Sequence, residues 1–162
     1  MNTITTNSSK CSPNVSLPAE VFLRIMELQD SLCFEFQKMF KEEGLTLAQY
    51  NMLRILRGVE NGRLPCHEIK RRLIQQVPDI TRLVDRLEDA GLVYRKRCEN
   101  DRRVIYIEIS QKGLHQLAKL DEPVEELHQR QFSDMSEEEL SNLNEMLIRA
   151  QVAFAAHQDE TE

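Results

Sequence analysis

The side chains with the most chemical potential in this chain are cationic, and they crowd into one stretch. Thr81-Arg82-Leu83-Val84-Asp85-Arg86 is followed, past Gly91, by Leu92-Val93-Tyr94-Arg95-Lys96-Arg97 and then by Asp101-Arg102-Arg103. Guanidinium groups at this density suit the neutralisation of phosphate, and their planar fork also matches paired acceptors on a base edge. Arg103 lies two residues after Asp101, whose carboxylate can hold the guanidinium in one orientation. A held arginine loses less freedom when it enters a narrow, A·T-rich minor groove, where negative potential is concentrated. Arg95, Lys96, Arg97 and Arg102 around it supply attraction to phosphate without sequence information.

The other reactive residue types are scattered. Cys11, Cys33, Cys66 and Cys98 form no CxxC or clustered ligand pattern, so free thiols are expected rather than disulfides or a metal site. Cys98 stands among Arg95, Lys96, Arg97 and Arg102, a setting that favours thiolate and makes it a redox candidate. His67, His115, His128 and His157 have no i, i+4 pairing with a carboxylate of the kind one helix uses to hold a metal. There is no nucleophile elbow, no Ser-His-Asp arrangement and no glycine-rich phosphate loop, with five glycines in all. Neither an enzyme nor a bound cofactor is expected.

The elements that must position the arginines follow from apolar periodicity. Residues 1–17 are polar and read as a flexible arm. A helix starting at Ser16 or Pro18 and running to about Gly44 carries Val21, Ile25, Leu28, Leu32 and Met39 on one stripe. Phe22, Met26, Cys33, Phe36 and Phe40 lie beside it, which makes an unusually wide apolar face. Thr46 is an N-cap for a second helix that Asn61 and Gly62 end. Two short helices are predicted at about Cys66 to Leu73 and about Pro78 to Ala90, with Pro78 as the first residue of the latter. In that helix Ile80, Leu83, Val84 and Leu87 bury one face and leave Thr81, Arg82, Asp85 and Arg86 outside. Leu92 to Arg97 and Arg103 to Ser110 then read as two strands of a hairpin. Ser110 begins a further helix, and Ser136 with Glu139 is a capping box for the last, which bears Leu140, Leu143, Leu147, Ala150 and Phe154. The stripe of the last helix suits either internal core or a dimer seam, and because the first helix carries more apolar surface than one small domain covers, a seam is expected.

Two short helices joined tightly and followed by a basic hairpin describe a winged helix-turn-helix, whose second short helix enters the major groove. From Leu45 to Gly113 the chain resembles the multiple-antibiotic-resistance regulator (MarR) family. That family's wing pattern of Asp-x-Arg, a strand, then Leu/Ile-Thr/Ser-x-x-Gly stands here as DRRVIYIEISQKG, with Asp101, Arg103, Ile109, Ser110 and Gly113 in place. TRLVDRLEDAGLV before it is similar to the end of the family's recognition helix and the start of its wing. Ile74 and Gln75 depart from the pattern, since many relatives have glycine and then an apolar residue there. The resemblance implies a homodimer held by first and last helices. It also implies a repressor released by a small, often aromatic or anionic, effector bound between those helices and the DNA-binding lobe. Relatives that sense oxidants through a first-helix cysteine make Cys33 a second redox candidate, the alternative being a buried structural thiol.

The expectation is therefore a mainly α protein, a winged helix-turn-helix with N- and C-terminal dimerisation helices and a two-stranded β-wing. A single domain spans 18–157, with a DNA-binding lobe at 45–113 and dimerisation helices at 18–44 and 114–157. The expected function is sequence-specific recognition of a pseudo-palindromic site in double-stranded DNA by a transcriptional regulator. The alternatives are a thiol-based redox-sensing regulator and a winged-helix protein-interaction adaptor. Candidate DNA-contacting residues are Gln76, Pro78, Asp79, Thr81, Arg82, Arg86, Arg95, Arg97, Asp101, Arg102 and Arg103.

Overall charge fits only in its distribution. The net charge is −6, yet Gly62 to Gly113 holds 12 Lys and Arg against 8 Asp and Glu, while the remainder holds 9 against 19. A basic middle meets an anion; acidic ends do something else. No run of about 18 apolar residues exists, and the start, MNTITTNSSKCSPNVS, lacks the apolar core of a secretory signal. A cytoplasmic location and no membrane partner are expected.

Overall fold

Apolar residues at helical period account for most of the architecture. The computed structural model describes residues 15–74, 77–98 and 104–159, the last three as backbone alone. In chain order the elements are α1 (Leu17–Glu42), α2 (Leu47–Arg57), β1 (Arg63–Pro65), α3 (Cys66–Arg72), α4 (Ile80–Asp89), β2 (Val93–Arg97), β3 (Ile105–Ile109), α5 (Gln111–Gln131) and α6 (Glu137–Asp159). The chain divides into two units, Met1–Leu47 and Ala48–Glu162.

In the first unit, α1 has proline in its first turn, where no N–H is needed. Phe40 and Leu45 are buried, and Phe36 stacks on Phe40 with ring centroids 5.8 Å apart. Among the described residues nothing covers the N-terminal half of the wide apolar face. Val21, Phe22, Leu23, Ile25, Met26 and Leu28 are all exposed.

The second unit holds the lobe and the C-terminal helices. Met52, Leu53 and Leu56 of α2, Ile69 of α3, Leu83, Val84 and Leu87 of α4, and Val93, Ile107 and Ile109 of the sheet are buried. Burial of each such side chain stabilises by about 1.5–3 kcal/mol, well above the 0–1 kcal/mol of a typical surface ion pair, so packing holds α4 and charge only orients it. Across this unit Arg57 grips Asp121 of α5 with two bonds, 2.9 and 2.8 Å. The Ser136–Glu139 capping box is present, with Ser136 N–H donating to Glu139 (2.8 Å) and Glu139 N–H to the Ser136 hydroxyl (3.3 Å). In α6, Met146, Leu147, Ile148, Val152 and Phe154 are exposed.

One expectation is extended and two are corrected. First, the two-stranded wing is present as β2 paired with β3, and β1 joins it in an antiparallel sheet of order β1-β3-β2. β1 pairs Arg63 with Glu108 and Pro65 with Tyr106, and Gly62 adds a carbonyl to the Ile109 N–H at 2.9 Å. Second, α2 stops at Arg57, before Asn61, because the chain turns through a Gly62 N–H to Val59 carbonyl bond to reach β1. Third, Pro78 is not the first residue of α4. Asp79 is the N-cap, accepting from the Arg82 N–H at 3.1 Å, and the helix begins at Ile80.

The end of α4, the start of the wing and the start of α5 meet at Ser110. Gly91, at φ +70°, closes α4 with a bond to the Glu88 carbonyl, and Leu92 N–H reaches back to Leu87. Ser110, buried, donates from its hydroxyl to the Gly91 carbonyl (2.8 Å) and from its N–H to the Leu92 carbonyl (3.0 Å). The same hydroxyl accepts from the Gly113 N–H at 2.9 Å, capping α5. A Cβ on Gly113 would lie 2.4 Å from the Leu92 carbonyl oxygen. Gly113→Ala should therefore destabilise the fold by about 3 kcal/mol, because backbone, not a flexible side chain, must move. Urea unfolding of the variant against the parent measures it.

Candidate nucleic-acid interface

The apolar stripe of α4 sinks Leu83, Val84 and Leu87 into the lobe, with Ile80 half-buried, and this turns Thr81, Arg82, Asp85 and Arg86 outward. Asp79 fixes the start of that outward face twice. Its carboxylate caps the helix and also pairs with the Arg82 Nε at 3.2 Å, both side chains being well exposed. Arg82 is thus pre-oriented over the first turn, where a helix placed in a major groove reads base edges. Arg86, one turn further on, is exposed and has no ion pair among the described residues. Pro78 is exposed beside the cap.

On the wing, alternation along β2 separates two sets of side chains. Tyr94 and Lys96 point to the outer face, where the Lys96 ammonium bonds Glu108 at 2.9 Å. Arg63 lies over the Tyr106 ring, 5.2 Å from its centroid. Arg95 shares a face with buried Val93 and turns toward α4. Its guanidinium bonds Asp85, Glu88 and the Thr81 carbonyl, and its N–H donates to Glu88 at 3.1 Å. Burial works against the Arg95 charge, yet the bonds to Asp85 and Glu88 together hold its pKa above the usual guanidinium value. Arg95, expected among the phosphate contacts, is 29% exposed and paired with these two carboxylates. Arg97 is exposed at the end of β2, and Cys98 N–H closes the strands onto the Val104 carbonyl at 3.0 Å.

Gln76, Asp101, Arg102 and Arg103 lie outside the described residues, as does Gln75. Cys33 and Cys98 are both half-buried free thiols. Burial pushes the Cys66 thiol up, with Arg95 opposing, so Cys66 disfavours thiolate. The described residues include no cluster of three or more metal-ligating side chains and no helix long and apolar enough to cross a membrane.

Sequence reasoning missed Glu88 and placed Asp85 only as an outward residue. The available signal was β-alternation, which puts Arg95 on the buried side of its strand, opposite two acids three apart on one helix. It also missed Lys112, whose ammonium donates to the Ala90 carbonyl at the C-terminal end of α4.

This arrangement of recognition helix and wing has counterparts. The family model described as MarR family matches residues 45–105. The chain is 32% identical over 111 residues to the transcriptional repressor IacR of Pseudomonas putida, covering 68% of this chain and 65% of that one. A MarR transcription factor structure from Planctomyces limnophilus is 36% identical, covering 83% of this chain and 97% of that chain with a TM-score of 0.64. The chain belongs to the MarR family. The same fold occurs in Sco3205, a MarR-family regulator of Streptomyces coelicolor solved with DNA, at 18% identity, 88% and 91% coverage and a TM-score of 0.76. In this MarR-family chain the motif residues Ile109, Ser110 and Gly113 make the junction that fixes α4 to the wing and α5.

Loss of the cap should be measurable apart from any ligand. Asp79→Ala is expected to cost about 1 kcal/mol, within the usual range for N-caps. A matched pair of thermal melts reads this, and an unchanged melt would contradict the cap.

Proposed function

We propose that the protein is a sequence-specific, double-stranded-DNA-binding transcriptional regulator that acts as a repressor. The observation that carries this reading is the outward face of α4, where Arg82 is oriented by its cap and Arg86 is unpaired among the described residues, next to a basic wing. Thr81, Arg82 and Arg86 are assigned to the major groove, with Gln76, Pro78 and Asp79 where the helix enters it. Arg97, Arg102 and Arg103 are assigned to backbone and minor groove, Asp101 holding Arg103. The name of the Pseudomonas putida relative supports repression. Release by a small aromatic or anionic effector is what family membership implies, and regulation rather than catalysis is the activity. The cytoplasm is the compartment assigned.

The uncovered apolar residues of α1 and α6 support a two-fold homodimer, with residues 45–113 as the DNA-binding lobe and 18–44 and 114–157 as the dimerisation segments. Two recognition helices then address half-sites one duplex turn apart, about 34–36 Å.

Selection of duplexes from a randomised library, followed by salt-titrated binding, tests the reading. The expected result is one enriched pseudo-palindrome. No enrichment, together with no salt-dependent binding of any duplex, would favour the protein-interaction adaptor. Arg82→Ala should cost roughly 1–3 kcal/mol of binding and relax preference at a single operator position, as loss of a bidentate base contact does. A loss uniform across sequences would reassign Arg82 to phosphate. For assembly, sedimentation should give about 38 kDa, twice the 18.9 kDa chain, and Leu147→Asp should shift it towards the monomer.

A further inference from the structure

The positively charged residues of the lobe fall into two groups that composition does not separate. Arg86 and Arg97 are exposed, whereas Arg95 is drawn in between the wing and α4. It is the point where β2 is fastened to the recognition helix by side-chain bonds. One guanidinium spans Thr81 at the first turn, Asp85 at the second and Glu88 at the last, so it follows the helix along its length. The Arg95 backbone N–H adds a bond to Glu88, which locks the strand as well as the side chain.

We propose that Arg95 is a positioning residue for DNA recognition, setting the angle between wing and recognition helix through Asp85 and Glu88, and is not itself a phosphate contact. This rests on the reading of the protein as a DNA-binding regulator. The fork geometry is what matters. A lysine keeps the charge but cannot reach three acceptors in one plane, and it is no substitute where the fork does the work. Asp85 is exposed on the outward face of α4 and Glu88 is half-buried beside the wing, and a carboxylate left bare there would repel phosphate. Each has a structural bond to make with Arg95 instead.

The proposal turns on a sign. If Arg95 bound phosphate, removing its two competing acids would free it, delete two negative charges and tighten binding. If Arg95 positions the helix, the same change weakens binding although the lobe becomes more positive. The experiment compares the parent with Asp85→Ala/Glu88→Ala and with Arg95→Lys, on the duplex selected by the parent and on a random-sequence duplex, over a range of salt. Thermal melts establish that each variant is folded. The expected result is a loss of about tenfold on the selected duplex for both variants. Random-duplex binding by Arg95→Lys should stay at the parent level, so the ratio of selected to random binding falls, and the salt slope should be unchanged. A general loss of stability in a protein that remains folded would not alter that ratio. Tighter binding by the double variant, or parent-like selectivity in Arg95→Lys, overturns the proposal. Failure of the parent to bind any duplex would sink the regulator reading instead. Hydrogen exchange of the Arg95 and α4 amides then judges the clasp, and parent-like exchange in Arg95→Lys overturns it.

Discussion

The lobe depends on the close approach of the α5 N-terminus to the chain just past α4. With Gly113 against the Leu92 carbonyl, the Ser110 hydroxyl reaches the Gly91 carbonyl and the Gly113 amide at once. That single hydroxyl serves the end of one helix and the beginning of another. Because it is buried, leaving either partner unsatisfied would carry a desolvation penalty of about 1–3 kcal/mol, so the junction is all or nothing. The end of α4, the start of β2 and the origin of α5 are brought together there. A shift at any one of them is felt by the others through the Ser110 hydroxyl and the backbone it bonds.

Electrostatics is arranged within that frame in pairs. Asp79 with Arg82, Asp85 and Glu88 with Arg95, and Glu108 with Lys96 place an acid beside three of the cations of the lobe. At half-exposed sites such pairs add little stability. What they supply is orientation, and this explains how a chain of net charge −6 can still present directed cations. Field strength at the surface follows from which arginines are left without an acid, not from their number.

Short-range features were the legible ones. The buried stripe Leu83, Val84 and Leu87, the Ser136–Glu139 box and Ser110 as the start of α5 each depend on residues within one or two turns, and the structure has them as expected. Pro78 and Asp79 are adjacent N-terminal signals that compete. The carboxylate cap prevailed because it satisfies an otherwise orphaned amide, which proline at the first position cannot do. β1 could not be read from Arg63-Leu64-Pro65, since three residues ending in proline have no strand signature of their own and pair only because β3, over 40 residues away, lies alongside. Arg95 was readable from its alternation with Val93, but it sits in a basic run, and charge density hid its direction.

The sheet also bears on how copies of the chain avoid each other. Its outer strands are β1 and β2, and a bare strand edge invites another chain to add on. β1 is only three residues long and ends in Pro65, which has no N–H to offer a newcomer. β2 carries Lys96 and Arg97, exposed, so two such edges brought together would repel. The two described edges are thereby poor templates for strand addition, which lowers the tendency of the wing to seed a fibril.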